Sequence, residues 1–301
     1  MSEKRDIRMI ACDLDGTLLN NKHQMSARTE LALRKAMARG IQVVLATGKT
    51  RASAVSLIER LGLRTPGVFV QGLQVYNADG TLRYQETLPS DLARRVITYA
   101  EMRGFGVVAY SGNRLLVRAK DSRFDFLAAY HEPPVEPIGN LVNHLNTLSI
   151  NKLLVVGTEP TAVRNMRWQL EQQHNGKLTI TMSAVSINVE VLPFGASKGK
   201  AVMAVARDLA IAPEHIMAIG DGENDIEMLQ YVGWGVAVAN ASPKLKQVAR
   251  AIVADNNHDG VAEAVERFAL PPEPKPEVTP IDGAPDSSTA PDVPLGDSDA
   301  Q

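Results

Sequence analysis

The chain has 301 residues, 45% hydrophobic and 22% charged, with one cysteine and a formal net charge of −2. At roughly 150 residues per domain, this length suits one large domain or two modest ones with enough apolar material for a core. A single cysteine excludes an intramolecular disulfide framework, and no run approaches the ~18 apolar residues that a membrane span needs. The charged start, Met1 to Asp6, shows no secretory signal, so a soluble, cytoplasmic protein is expected.

The charge is unevenly spread. Residues 271–301 hold eight of the 17 prolines, seven acidic residues and one lysine, whereas the other 270 residues carry 31 basic and 27 acidic groups. A stretch of Pro, Asp, Ser and Ala cannot bury enough surface to offset its ordering entropy, so 271–301 reads as a disordered, acidic, Pro-rich tail. The mildly basic body suits a small anionic substrate. No basic run alternates with aromatics, so neither nucleic acid nor membrane is expected as a partner, and no protein partner is predicted.

In chain order, residues 7–12 read as a short buried strand with a sharp polar break at Asp13. Ser26 caps a predicted helix that Gly40 ends, 41–46 is a second strand, and a helix over 50–61 is closed by Gly62. A third strand covers 67–71, and the turn signal at 77–80 separates two strand-like pieces. The middle reads differently. A helix opens at Ser90, a hairpin turns around 111–113, residues 131–139 are an irregular connection, and 152–157 is a strand. A helix starting at Pro160 and ending at Asn175-Gly176 precedes strands over 178–182 and 187–192. The alternating rhythm then returns, with helices over 199–210 and 225–231, near Pro243 and from Asp259, and strands over 216–220, 234–238 and 251–253. Strands alternating with helices imply a parallel α/β sheet, here split by an inserted α+β region. The expected division is a core of 1–82 and 189–270, an insertion of 83–188 and the tail of 271–301.

Three segments carry chemistry, each where a predicted strand ends, the place where open parallel sheets bind ligands. Asp13-Leu14-Asp15-Gly16-Thr17 sets two carboxylates two residues apart, a repulsion that a bound cation relieves, although an Asx-rich turn is the plain alternative. Gly220-Asp221-Gly222-Glu223-Asn224-Asp225 follows another apolar strand, and Asp221 facing Asp13 would suit Mg²⁺, although an acidic loop capping the next helix is the plain alternative. Thr47-Gly48 offers a hydroxyl and backbone N–H groups before a helix, and Lys198 stands at the start of another helix, where taken alone a lysine is more often a solvated surface charge. Cys12, Trp168 and Trp234 read as packing residues, and the six histidines show no metal-ligand spacing.

Taken in chain order, the four motifs Asp13 to Thr17, Thr47-Gly48, Lys198 and Gly220 to Asp225 resemble the haloacid dehalogenase-like (HAD) superfamily of phosphohydrolases, and more narrowly its Cof-type members. Residues 255–262 resemble the closing Asp-Gly-Val-Ala stretch of the same family. The resemblance spans about 7–268 and implies a Rossmann-like parallel-sheet core with an inserted cap. It also implies a Mg²⁺-dependent phosphatase acting on a small phosphorylated metabolite, such as a sugar phosphate or phosphorylated cofactor. By this resemblance Asp13 is the nucleophile that becomes an aspartyl-phosphate, and Asp15 is the general acid and base. Thr47, Gly48, Lys198, Asn224 and the Leu14 backbone would hold the phosphoryl oxygens. Asp13, Asp15 through its carbonyl, and Asp221 would hold Mg²⁺, with Asp225 supporting them. A phosphomutase of the same superfamily and a non-catalytic phosphate-binding regulatory protein are the alternatives. Two positions depart from the family pattern: Lys49 stands where arginine is usual, and Gln71 where asparagine is common. Neither belongs to the nucleophile, acid or metal set, so both are expected to touch only finer substrate contacts. In the insertion, Tyr110, Arg114, Arg118 and Arg123 are the candidate leaving-group contacts.

Overall fold

The structure, a computed structural model, describes residues 6–182 and 187–271. Strands and helices alternate through β1 (Met9–Cys12), α1 (Ala27–Ala38), β2 (Gln42–Leu45), α2 (Val55–Leu61) and β3 (Gly67–Phe69). β4 (Gln74–Tyr76) and β5 (Leu82–Gln85) follow, then α3 (Ser90–Glu101), β6 (Gly106–Ser111), β7 (Arg114–Val117), α4 (Phe126–Ala129) and β8 (Val135–Pro137). Next come β9 (Lys152–Val156), α5 (Pro160–His174), β10 (Leu178–Met182) and β11 (Asn188–Pro193). The chain then runs through α6 (Lys198–Asp208), β12 (Ile216–Gly220), α7 (Ile226–Tyr231), β13 (Trp234–Val238), α8 (Pro243–Val248), β14 (Ala251–Val253) and α9 (Gly260–Phe268). Among the described residues, no helix is long and apolar enough to cross a membrane.

Five strands form a wholly parallel sheet in the order β14-β13-β12-β1-β2. β1 and β12 are buried at every position, as strands covered on both faces must be, which is why their sequences are unbroken apolar runs. The helix pairs α1–α9 and α6–α7 pack together and against this sheet. From β1 the chain moves outward to β2, then returns to place β12 on the other side of β1. That reversal opens a crevice at the carboxyl end of β1, where Asp13 follows Cys12. The two halves of the α/β pattern thus build one sheet, as the sequence predicts.

A second, six-stranded sheet has the order β10-β11-β9-β6-β7-β8, antiparallel except for the β7–β8 pair. Alternation gives it two apolar faces. Val107, Ala109, Leu153 and Val155 pack with Val96 and Ile97 of α3 and Val163 and Met166 of α5. Val108, Tyr110, Leu115 and Leu154 turn the other way and join the apolar cluster that runs through the parallel sheet. A small antiparallel sheet, β3-β4-β5, touches the parallel sheet through a bridge between Ala46 and Val68.

Several expectations need correction. Residues 131–139 are not wholly irregular, because β8 pairs with β7 at the sheet edge. β11 crosses the expected 188/189 boundary and β5 crosses that at 82/83, so the six-stranded sheet spans residues 106–193. Trp168 is 61% exposed on α5 and does not pack, whereas Trp234 rests on Phe268 with ring centroids 5.3 Å apart. The acidic tail lies outside the described residues, apart from Pro271.

One glycine ties the small sheet to α6. Gly72 has φ +91°, and a Cβ there would lie 2.4 Å from the carbonyl oxygen of Ser197, the residue that caps α6. Gly72→Ala is therefore expected to cost about 2 kcal/mol or more, from backbone strain together with a clash against main chain. Urea unfolding should show this as a lower midpoint at unchanged slope.

Candidate active site

The carboxyl ends of β1, β2 and β12 place three loops side by side. Asp13 is 6% exposed, and its backbone N–H donates to the Ile219 carbonyl at 3.0 Å, extending the β1–β12 ladder by one step. The Lys198 ammonium, on the first residue of α6 and 2% exposed, donates to Asp13 Oδ1 at 2.6 Å and to Asp225 Oδ1 at 2.9 Å. Asp225 accepts on its other oxygen from the backbone N–H groups of Asp221, at 3.1 Å, and Gly222, at 3.0 Å. Thr17 donates its hydroxyl to Asp221 Oδ1 at 2.8 Å. Carboxylate oxygens of Asp13, Asp221 and Asp225 all lie within 4.8 Å of one another.

Two buried acids, Asp13 and Asp225, thus share one ammonium, with half-buried Asp221 beside them. Burial pushes the Asp13 carboxyl up to about 7, with Asp221 and Asp15 adding like charge against the pull of Lys198. Burial likewise lifts Asp221 and Asp225 to about 6, each further raised by a neighbouring acid. Burial would lower the Lys198 ammonium, but Asp13 and Asp225 reverse that and hold it above its ordinary value. The hard oxygen donors, their mutual repulsion and a single opposing cation fit a divalent metal such as Mg²⁺.

Glycine is required beside this cluster. Gly16 turns with φ +78°, and a Cβ there would stand 2.4 Å from Asp221 Oδ2. The loops are pinned by two asparagines that sequence reasoning left unassigned. Asn240 donates to the Gly16 carbonyl at 2.7 Å, and Asn256 donates to the Leu19 carbonyl at 2.9 Å.

Asp15 stands apart from the buried cluster, with its side chain 26% exposed. Lys49 Nζ lies 2.7 Å from Asp15 Oδ1, and His23 Nδ1 lies 3.2 Å from the same oxygen. The Tyr130 ring, beyond the end of α4, packs edge-on against His23 and sits 5.5 Å from the Lys49 ammonium. Lys49 was expected to touch only finer substrate contacts; the structure instead sets it on the candidate acid. No local signal marks His23, because its partner is found by the turn of the chain and not by spacing.

Thr47 and Gly48 follow β2, and the Thr47 hydroxyl oxygen accepts from the Lys49 backbone N–H at 3.2 Å. Gln71, with φ +61°, uses the length that distinguishes it from asparagine: it accepts from the Asn224 amide at 3.0 Å and donates to Glu190 Oε2 at 2.7 Å. Leu14 is buried behind the loop. The candidate arginines of the insertion are not brought here. Arg114, Arg118 and Arg123 are spent on Glu136, Glu101 and Asp121, and Tyr110 is buried with the Lys152 ammonium 4.4 Å from its ring.

The raised carboxyls predict a pH dependence. With folded values near 6 to 7 against an ordinary 3.8, the folded chain holds more protons than the unfolded one across that window. The cluster's contribution to stability therefore falls as pH rises from about 4 to about 7 and stays level above. Asp221→Asn keeps an acceptor for Thr17 but removes one charge. In calorimetry without metal, the variant should match the parent at pH 4 and melt about 3 to 6 °C higher at pH 8. Mg²⁺ should raise the parent's melting temperature at pH 8 and leave the variant's nearly unmoved; equal melting at pH 8 would contradict the electrostatic reading.

Comparison with known proteins bears directly on the strand-end motifs. Residues 10–265 match the family described as haloacid dehalogenase-like hydrolase. The chain is 38% identical over 273 residues to "Endoribonuclease YBEY, chloroplastic" of Arabidopsis thaliana, covering 87% of this chain and 46% of that protein, so it spans about half that relative's length. It is 31% identical over 285 residues to "Phosphatase YwpJ" of Bacillus subtilis, covering 87% of this chain and 100% of that one. A solved haloacid dehalogenase-like hydrolase from Bacteroides thetaiotaomicron shares the fold with a TM-score of 0.79 and 27% identity, over 87% of this chain and 99% of that one. With a carboxylate cluster at the switch point of a parallel sheet and a family match across nearly all the described residues, the chain belongs to the haloacid dehalogenase-like hydrolases.

Proposed function

We propose that this chain is a Mg²⁺-dependent phosphomonoesterase for a small phosphorylated metabolite, such as a sugar phosphate or phosphorylated cofactor, working in the cytoplasm. The observation that carries this reading is Asp13, ion-paired to Lys198 at 2.6 Å and gathered with Asp221 and Asp225 at the carboxyl end of β1. A nucleophilic carboxylate must be ionised, and the Lys198 contact favours that form despite burial. The phosphatase name borne by the Bacillus subtilis relative supports the same reaction class.

In this reading Asp13 attacks the substrate phosphorus, forming an aspartyl-phosphate as the ester oxygen departs. Asp15 gives its proton to that oxygen and then takes one from the water that cleaves the aspartyl-phosphate. Lys49 and His23 both contact Oδ1 of Asp15, which leaves the second oxygen to carry the proton. Thr47, Gly48, Lys198, Asn224 and the Leu14 backbone N–H would hold the phosphoryl oxygens. The Asp13 and Asp221 carboxylates, with the Asp15 main-chain carbonyl, would hold Mg²⁺, which when bound offsets negative charge on the transferring group. Asp225 orients instead of ligating, because one of its oxygens takes Lys198 and the other takes two backbone N–H groups.

The test is hydrolysis of a generic aryl phosphate with and without Mg²⁺. Activity should require the metal, and Asp13→Asn should lower kcat at least ~10³-fold while the fold is kept. Equal turnover by the parent and Asp13→Asn would remove Asp13 as nucleophile. With a sugar phosphate as substrate, release of an isomerised sugar phosphate in place of free phosphate would point to a mutase.

A further inference from the structure

The six-stranded sheet reaches into the phosphate-binding loop with buried charges that the reaction itself does not use. Lys152, at the start of β9, is 2% exposed and donates to the Gly48 carbonyl at 3.0 Å and to Glu190 Oε1 at 2.5 Å. Glu190, on neighbouring β11, is 5% exposed, and its other oxygen accepts from Gln71. Nearby, Glu132 accepts from the hydroxyls of Thr50 and Ser53, each at 2.6 Å, and from the Thr50 backbone N–H at 3.2 Å. Three side chains from the insertion therefore grip residues 48–71 of the core at three points.

A buried ion pair is poor stabilising material. Its desolvation cost rivals its attraction, and apolar replacements of similar volume are often neutral or better. The identities of Lys152 and Glu190 call for another reason, which the hydrogen-bond chain supplies. The carbonyl that Lys152 holds belongs to the Gly48–Lys49 peptide, whose N–H is the one that donates to Thr47 Oγ1. Once that oxygen accepts from Lys49, the single hydroxyl hydrogen of Thr47 is left to point at an incoming phosphoryl oxygen. A cation on the carbonyl also polarises the peptide and strengthens its N–H as a donor.

We propose that Lys152, neutralised by Glu190, is a positioning residue that orients the Thr47 hydroxyl through the Gly48–Lys49 peptide, so that phosphate binding in the core and docking of the six-stranded sheet are coupled. This rests on the reading of Thr47 and Gly48 as phosphate ligands. Coupling is reciprocal: a phosphate bound in the core must tighten the contacts made by Lys152, Glu190 and Glu132. The second sheet is then part of the phosphate site, beyond any role it has in covering a leaving group.

The experiment measures inorganic phosphate directly. Isothermal titration of the full chain with phosphate in Mg²⁺ should show at least tenfold weaker binding in Lys152→Met than in the parent, with part of the loss regained in Lys152→Arg. With an aryl phosphate the same loss should fall mainly on KM, since the nucleophile is untouched. A folded Lys152→Met that binds phosphate within twofold of the parent would overturn the coupling. A second measurement needs no variant. Phosphate with Mg²⁺ should slow amide hydrogen exchange of the parent several-fold at residues 130–132 and 152–156, and unchanged exchange there would equally overturn it. A parent that binds phosphate but hydrolyses no ester overturns the phosphatase reading alone, whereas a parent that binds no phosphate overturns both.

Discussion

Everything around the site answers to one electrostatic constraint, the gathering of buried Asp13 and Asp225 and half-buried Asp221 beside the Lys198 ammonium. Out of water, each ionised carboxylate costs several kcal/mol unless opposite charge or hydrogen-bond donors replace its hydration. Lys198 serves two of the three, backbone N–H groups serve Asp225 again, and the Thr17 hydroxyl serves Asp221. The negative charge that remains is what lifts all three carboxyls, and it is the charge that the proposed Mg²⁺ would balance.

The fold meets this constraint with a rigid edge. β1, β2 and β12 are in register, so the residues that follow them emerge at one level. Gly16 lets the loop after β1 press against Asp221, and Asn240 and Asn256 tie that loop to the segments beyond β13 and β14. The six-stranded sheet arrives from outside with its own charges. Lys49, His23 and the Tyr130 ring surround Asp15, while Lys152 and Glu132 hold the loop after β2 and Glu190 holds Gln71 after β3. Asp15 is thereby kept apart from the buried cluster, in a setting that is partly open to water.

Much of this is legible in the sequence alone. The boundaries of β1, β2, β12 and β13 lie within two residues of those expected, because buried parallel strands are unbroken apolar runs ended by polar turns. Ser26 and Gly62 mark helix ends as their chemistry demands: Ser26 accepts from the Thr29 N–H, and Gly62 sits at φ +66°. β8 was missed because a three-residue edge strand containing proline has no periodicity to detect. The arginines of the insertion misled for a related reason. A free charge and one already spent on Glu136 or Glu101 look identical in a sequence.

The sequence by itself determined the α/β class, the family and the strand-end residues, since these depend on local periodicity, turn chemistry and motif order. Only the tertiary structure decided which distant groups answer them. Lys198 meets Asp13 across 185 positions, Lys152 meets Gly48 across 104, and Glu132 meets Thr50 across 82. A chain encodes a buried charge in one place and its neutralising partner in another. What joins the two is the requirement that neither be left without a partner in the core, and that requirement acts only after the sheets have packed.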